Sequence, residues 1–78
     1  MPSHSWNFTM PDHPELMNAL TQYRKAAGLT QSDLAERVSV SRKTINTVEN
    51  GVFVPTTILS LKLAKALDVS VEDLFQLP

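Results

Sequence analysis

Gly28-Leu29-Thr30-Gln31-Ser32-Asp33-Leu34-Ala35-Glu36-Arg37-Val38-Ser39-Val40-Ser41-Arg42-Lys43-Thr44-Ile45-Asn46-Thr47-Val48-Glu49-Asn50-Gly51 is the stretch that decides the fold of this 78-residue chain. Thr30 and Ser41 are both helix-start residues, because a short side-chain oxygen there can accept a bond from an otherwise unpaired amide of the first turn. Asp33, three residues after Thr30, can reach back to the Thr30 amide in a variant of the capping box usually written with Glu or Gln. Leu34, Ala35 and Val38 form the buried side of the helix that Thr30 opens. Ser39-Val40 is room only for a sharp corner, with Val40 expected to plug into the core. Ile45 and Val48 point the next helix inward, which turns Arg42, Lys43, Asn46 and Thr47 outward.

Two helices meeting at so short a corner make a helix-turn-helix, spanning about residues 30–50 here. That motif serves chiefly to place its second helix in the major groove of DNA. Upstream, Leu16, Leu20, Tyr23 and Ala27 form one apolar stripe, so a first helix is expected from near Pro14, capped by Asp12 or His13 and stopped at Gly28. Downstream, Asn50-Gly51 ends the third helix, and Val52-Phe53-Val54-Pro55 reads as a loop. A fourth helix is expected over about Thr57 to Leu67, and a short fifth from Ser70 through Leu74 and Phe75, with Gln76-Leu77-Pro78 trailing off. The fourth helix carries more apolar residues than one core stripe needs, so part of its surface is expected to meet another chain. The fold class is all-α, with five short helices in a domain over residues 14–78 and an N-terminal arm over residues 1–13.

A chain this short buries only about 60% of its unfolded surface, so its core is small. It has no cysteine, which removes disulfides and thiolate metal sites. No apolar stretch is long enough to span a membrane and no signal-peptide pattern opens the chain, so a cytoplasmic protein with no membrane partner is expected. Net charge is −1, unlike a protein that coats nucleic acid by bulk electrostatics. Its distribution says more. Between Arg24 and Asn50 five cations face three anions, whereas the flanks hold two cations against five anions. Positive charge is concentrated on the helix-turn-helix.

No cofactor or metal is expected, and enzyme chemistry has no foothold. His4 and His13 sit in or beside the arm, no nucleophile has a base at a usable spacing, and neither a phosphate-cradling glycine loop nor a metal-ligand cluster is present. The arm carries two aromatics, Trp6 and Phe8, which suit packing onto an apolar surface of the domain or a dimer mate. It lacks the Arg and Lys of minor-groove arms.

Gly28-Leu29-Thr30-Gln31, Leu34-Ala35, Val40-Ser41, Ile45, Glu49-Asn50-Gly51 and the closing Ala64-Lys65-Ala66-Leu67-Asp68-Val69-Ser70-Val71-Glu72-Asp73-Leu74-Phe75 together resemble the phage repressor and Cro type of helix-turn-helix regulator, the xenobiotic-response-element family. The resemblance runs from about Leu16 to Phe75 and implies a five-helix, lambda-repressor-like DNA-binding domain. It implies a transcriptional regulator, of the repressor kind, that binds double-stranded DNA in a sequence-specific way through a recognition helix at 42–49. By the same resemblance Ser41, Arg42, Lys43 and Thr47 face base edges, with Asn46 at the margin of that face. Gln31 and Asn50 match phosphate contacts, and Arg24 and Glu49 match a salt bridge tying the first helix to the end of the third, although Arg24 could contact phosphate instead.

Arg42 could donate two bonds to a guanine or bind phosphate alone. One such domain contacts few base pairs, so a homodimer on an inverted-repeat operator is expected, joined through the fourth and fifth helices and the Phe75-Gln76-Leu77 tail. The chain departs from the family pattern after Gly51. Relatives often carry Lys or Arg there, whereas Val52-Phe53-Val54 offers only backbone amides to a phosphate, which implies a shallower salt dependence. The rival reading is a protein-binding module on the same fold, such as an antitoxin or a dimerising adaptor with a protein partner.

Overall fold

The computed structural model describes residues 16–78. In chain order the elements are β1 (Met17–Asn18), α1 (Leu20–Ala26), α2 (Gln31–Val38), α3 (Arg42–Glu49), α4 (Thr57–Leu67), α5 (Val71–Leu74) and β2 (Phe75–Gln76). Five helices form as the sequence implies, and the starts of α2 to α5 are chemically marked. Thr30, Ser41, Thr56 and Ser70 each accept, through the side-chain oxygen, an amide three residues on. Thr30 with Asp33 and Ser70 with Asp73 close full capping boxes. The Thr30 amide, then its hydroxyl, and more weakly the charge of Arg37 hold the Asp33 carboxyl below its ordinary pKa.

The ends of the helices are equally local. Gly28 and Gly51 adopt positive φ, 74° and 75°, where a side chain is strained by backbone conformation alone. Ser39 and Asp68 take the same left-handed conformation after α2 and α4, with φ of 62° and 57°. The left-handed Ser39 makes the corner of the helix-turn-helix, and Val40 packs half-buried against the core.

The first helix begins later than the apolar stripe predicts. Residues 17–18 are strand, not helix, and pair antiparallel with β2 in the register Met17 to Gln76 and Asn18 to Phe75. The Ala19 amide also donates to the Leu74 carbonyl at 2.8 Å. Those partners lie more than fifty residues away, so tertiary pairing outcompetes the helical turn that the local pattern favours. Leu16 still packs against the core from outside the helix, while Ala27 is exposed. The expected start and caps at Asp12, His13 and Pro14, together with His4, Trp6 and Phe8, lie outside the described residues.

The core sits where α1 to α5 converge. Leu20, Leu34, Ile45, Val48, Leu63 and Leu74 are fully buried. Each such side chain contributes about 1.5–3 kcal/mol of transfer free energy. Phe75 is buried as well, in the strand that follows α5, and is therefore unavailable for the intermolecular contact expected of the C-terminal tail. Only Leu77 of that tail's apolar residues is exposed. Among the described residues no helix is long and apolar enough to cross a membrane.

Candidate nucleic-acid interface

The outer surface of α3 is built by its inner one. Ile45 and Val48 anchor the helix in the core, and the Asn18 side chain ties its far end down, donating to the Val48 carbonyl at 2.6 Å while accepting the Leu20 amide at 2.9 Å. Asn18 is buried, bridging the start of α1 to the last turn of α3. Sequence reasoning places it inside a helix and assigns it no role. An Asn two residues before Leu20 is a capping signal in hindsight, but its link to residue 48 has no local mark.

The second anchor is ionic. Arg24 Nε donates to Glu49 Oε2 at 2.6 Å, Nη2 donates to Oε1 at 3.3 Å, and Nη1 donates to the Leu29 carbonyl at 2.8 Å. Both side chains are about nine-tenths buried or more, so the bridge ties α1 to the end of α3 and leaves Arg24 turned away from solvent. It also removes the one carboxylate of α3 from the outer face. What remains outward at the start of that helix is Arg42 and Lys43, both exposed.

Gln31 joins this bridge to the outer face. Its amide nitrogen donates to Asn46 Oδ1 at 3.2 Å and to Glu49 Oε1 at 2.9 Å, while its side-chain carbonyl oxygen accepts from Arg42 Nη1 at 3.0 Å. Arg24, Glu49, Gln31, Asn46 and Arg42 thus form one continuous polar network across three helices. No buried side-chain N or O among the described residues lacks a partner. The buried part of the network is fully satisfied, and that fixes its orientation.

The other edge of α3 differs. Ser41 Oγ accepts the Thr44 amide at 3.1 Å and shares a bond with Thr44 Oγ1 at 3.0 Å, and Thr47 Oγ1 donates to the Thr44 carbonyl at 2.9 Å. The Val52 and Phe53 amides donate to the Thr47 carbonyl at 3.0 and 3.2 Å. Two of the three amides expected to be offered to phosphate, those of Val52 and Phe53, are thus spent on the end of α3. Asn50 is exposed at the C-cap of α3, and Asn46 and Thr47 are half-buried. Every residue expected on the outer face is therefore clustered on or beside α3, with Gln31 joining it from α2.

Residues 20–74 match the helix-turn-helix family model. The chain belongs to the helix-turn-helix family. It is 43% identical over 60 residues to an HTH-type transcriptional regulator of Methanocaldococcus jannaschii, an alignment covering 77% of this chain and 91% of that one. The fold is similar to that of SinR of Bacillus subtilis, a master regulator of biofilm formation solved in complex with DNA, with a TM-score of 0.64, 33% identity, and coverage of 68% of this chain and 86% of that one. It is also similar to the clp gene regulator ClgR of Corynebacterium glutamicum, with a TM-score of 0.66 and 31% identity. That match covers 69% of this chain but only 57% of ClgR. The likeness to the family is of the Cro and phage repressor type, and it is membership in a family of regulators that sets aside the enzyme reading.

Proposed function

We propose that this protein is a cytoplasmic transcriptional repressor that binds double-stranded DNA in a sequence-specific way, with α3 in the major groove. The observation that carries this reading is the presentation of Arg42 and Lys43 on the outer face of α3 while Glu49, its one acid, is buried against Arg24. An anion on that face would repel the phosphates, and two cations attract them. Ser41, Arg42, Lys43, Asn46 and Thr47 meet base edges, with Arg42 the main reader through a bidentate pair to guanine. The Gln31 side chain is committed to the network, so the phosphate contact at the start of α2 falls to main-chain N–H groups, which a helix N-terminus directs at an anion. Asn50 holds a second phosphate.

A single α3 reads too few base pairs to be selective, so two copies act on an inverted repeat with half-sites about 34 Å apart. Ile58 and Leu61, exposed on α4, and Leu77 supply apolar surface for that pairing. The test is selection of bound duplexes from a randomised pool at near-physiological salt, with sedimentation of the complex. Enrichment of an inverted repeat bound by two chains is the expected outcome. Absence of any enriched sequence would leave a protein-binding module on this fold as the better account.

A further inference from the structure

Where the end of α2 meets the later turns of α4, the residues Arg37, Val38, Ser39, Lys62, Lys65 and Ala66 line an open recess of about 380 Å³. We propose that this recess docks an extended acidic segment of a partner protein, one that carries an apolar side chain among its carboxylates. The inference goes beyond DNA reading and does not depend on it, because none of these six residues belongs to the base-facing or phosphate-facing set.

The placement of charge carries the argument. The chain has seven Lys and Arg. Arg24 is buried in its bridge to Glu49, and Arg42 and Lys43 stand on the outer face of α3. Of the four that remain, Arg37, Lys62 and Lys65 converge on this one recess, and no acid lines it. All three are exposed, and among the described residues none of them is in an ion pair. Asp33 feels the charge of Arg37, yet its carboxylate is closed in the capping box with Thr30. In a chain of net charge −1 such a gathering is no by-product of a basic composition, and the mutual repulsion of the three cations is relieved by an anion placed among them. Between the cations the lining is apolar, with Val38 and Ala66. Through Val38, Ser39 and Lys62 the recess runs on into a second one of about 300 Å³, whose further lining includes Val40 and Phe53. The result is a strip that is cationic at one end and apolar at the other. A DNA duplex offers phosphates but no apolar group to fill it, whereas an acidic peptide offers both, its carboxylates for the cations and an apolar residue to set its position.

The experiment selects randomised dodecapeptides, displayed on phage, on the full chain at near-physiological salt. The selected sequences are synthesised and their affinity is measured by fluorescence anisotropy on wild type, on the Arg37→Gln/Lys62→Gln/Lys65→Gln triple variant and on the Arg42→Gln/Lys43→Gln double variant. Helical content of each is checked by circular dichroism. The expected result is peptides rich in Asp and Glu around an apolar residue, whose affinity falls about tenfold in the triple variant, the worth of three exposed charge pairs, and stays nearly unchanged in the double variant. Selection of no peptide, selection of peptides without acids, or a loss no larger in the triple than in the double variant overturns the inference. Two rival occupants would overturn it as well. A random-sequence duplex that loses more affinity in the triple than in the double variant would make the recess a DNA contact, and a wild type that pairs in sedimentation while the triple variant does not would put a second copy of the chain there.

Discussion

The two edges of α3 solve the same positioning problem with opposite chemistry. Toward α2, side-chain hydrogen bonds run from buried Arg24 through Glu49 and Gln31 to exposed Arg42, so a charged donor is held by a chain of polar partners. Toward the 52–54 loop, hydroxyls and amides are satisfied locally, and what they hold outward is apolar. A polar residue therefore reads differently according to where its bonds already go. Gln31 and Thr47 are both polar side chains beside the outer face. The first aims a guanidinium, and the second closes its hydroxyl on its own helix.

The largest way to break this contrast is at the ionic anchor. Arg24→Met leaves Glu49 buried with only the Gln31 donor, and unfolding in urea is expected to show a loss of about 3 kcal/mol. Pairing it with Glu49→Leu should recover most of that loss, because a well-packed apolar pair replaces a buried ion pair at little cost. Next, Arg42→Ala removes the exposed end of the network. Affinity for the enriched duplex should fall by about 1–3 kcal/mol, read by anisotropy, with stability nearly unchanged.

On the apolar edge, Val52→Lys restores the cation that family relatives often carry. The slope of log affinity against log salt is expected to steepen by about 0.9, one added phosphate contact, and an unchanged slope would place the loop away from the backbone. The smallest effect belongs to Asp33. Its carboxyl titrates lower when folded than when unfolded, so the stability it contributes is complete above the usual carboxylate range and is lost as the pH falls through the folded value. Asp33→Asn should therefore lose less stability than wild type between about pH 4 and pH 2 in thermal melts.

Much of this was legible because it is local. The caps at Thr30, Ser41 and Ser70, the glycine stops, and the inward positions Leu34, Ile45 and Val48 follow from spacing and turn chemistry within a few residues. Thr56 caps α4 through its hydroxyl as Thr30 caps α2, but with Leu59 rather than an acid three residues on. The strand pair was hidden, because Met17 and Asn18 find partners at the far end of the chain while sitting in a stripe that suits a helix. Phe75, set as a tail residue, is core for the same reason. At the interface, residue types could be placed on a face but not their bonds. Nothing near Gln31 signals that Asn46, Glu49 and Arg42 will occupy its whole side chain, and nothing near Val52 signals that Thr47 takes its amide.

The central claim is that α3 reads sequence through a guanidinium aimed by the polar network. Its most direct test is selection of duplexes from one randomised pool by wild type and by Arg42→Ala in parallel. The account predicts an inverted repeat from both, with the preference at one guanine per half-site relaxed in the variant and the other positions kept. A variant that binds all sequences more weakly while keeping every preference would contradict it, and would make Arg42 a phosphate contact.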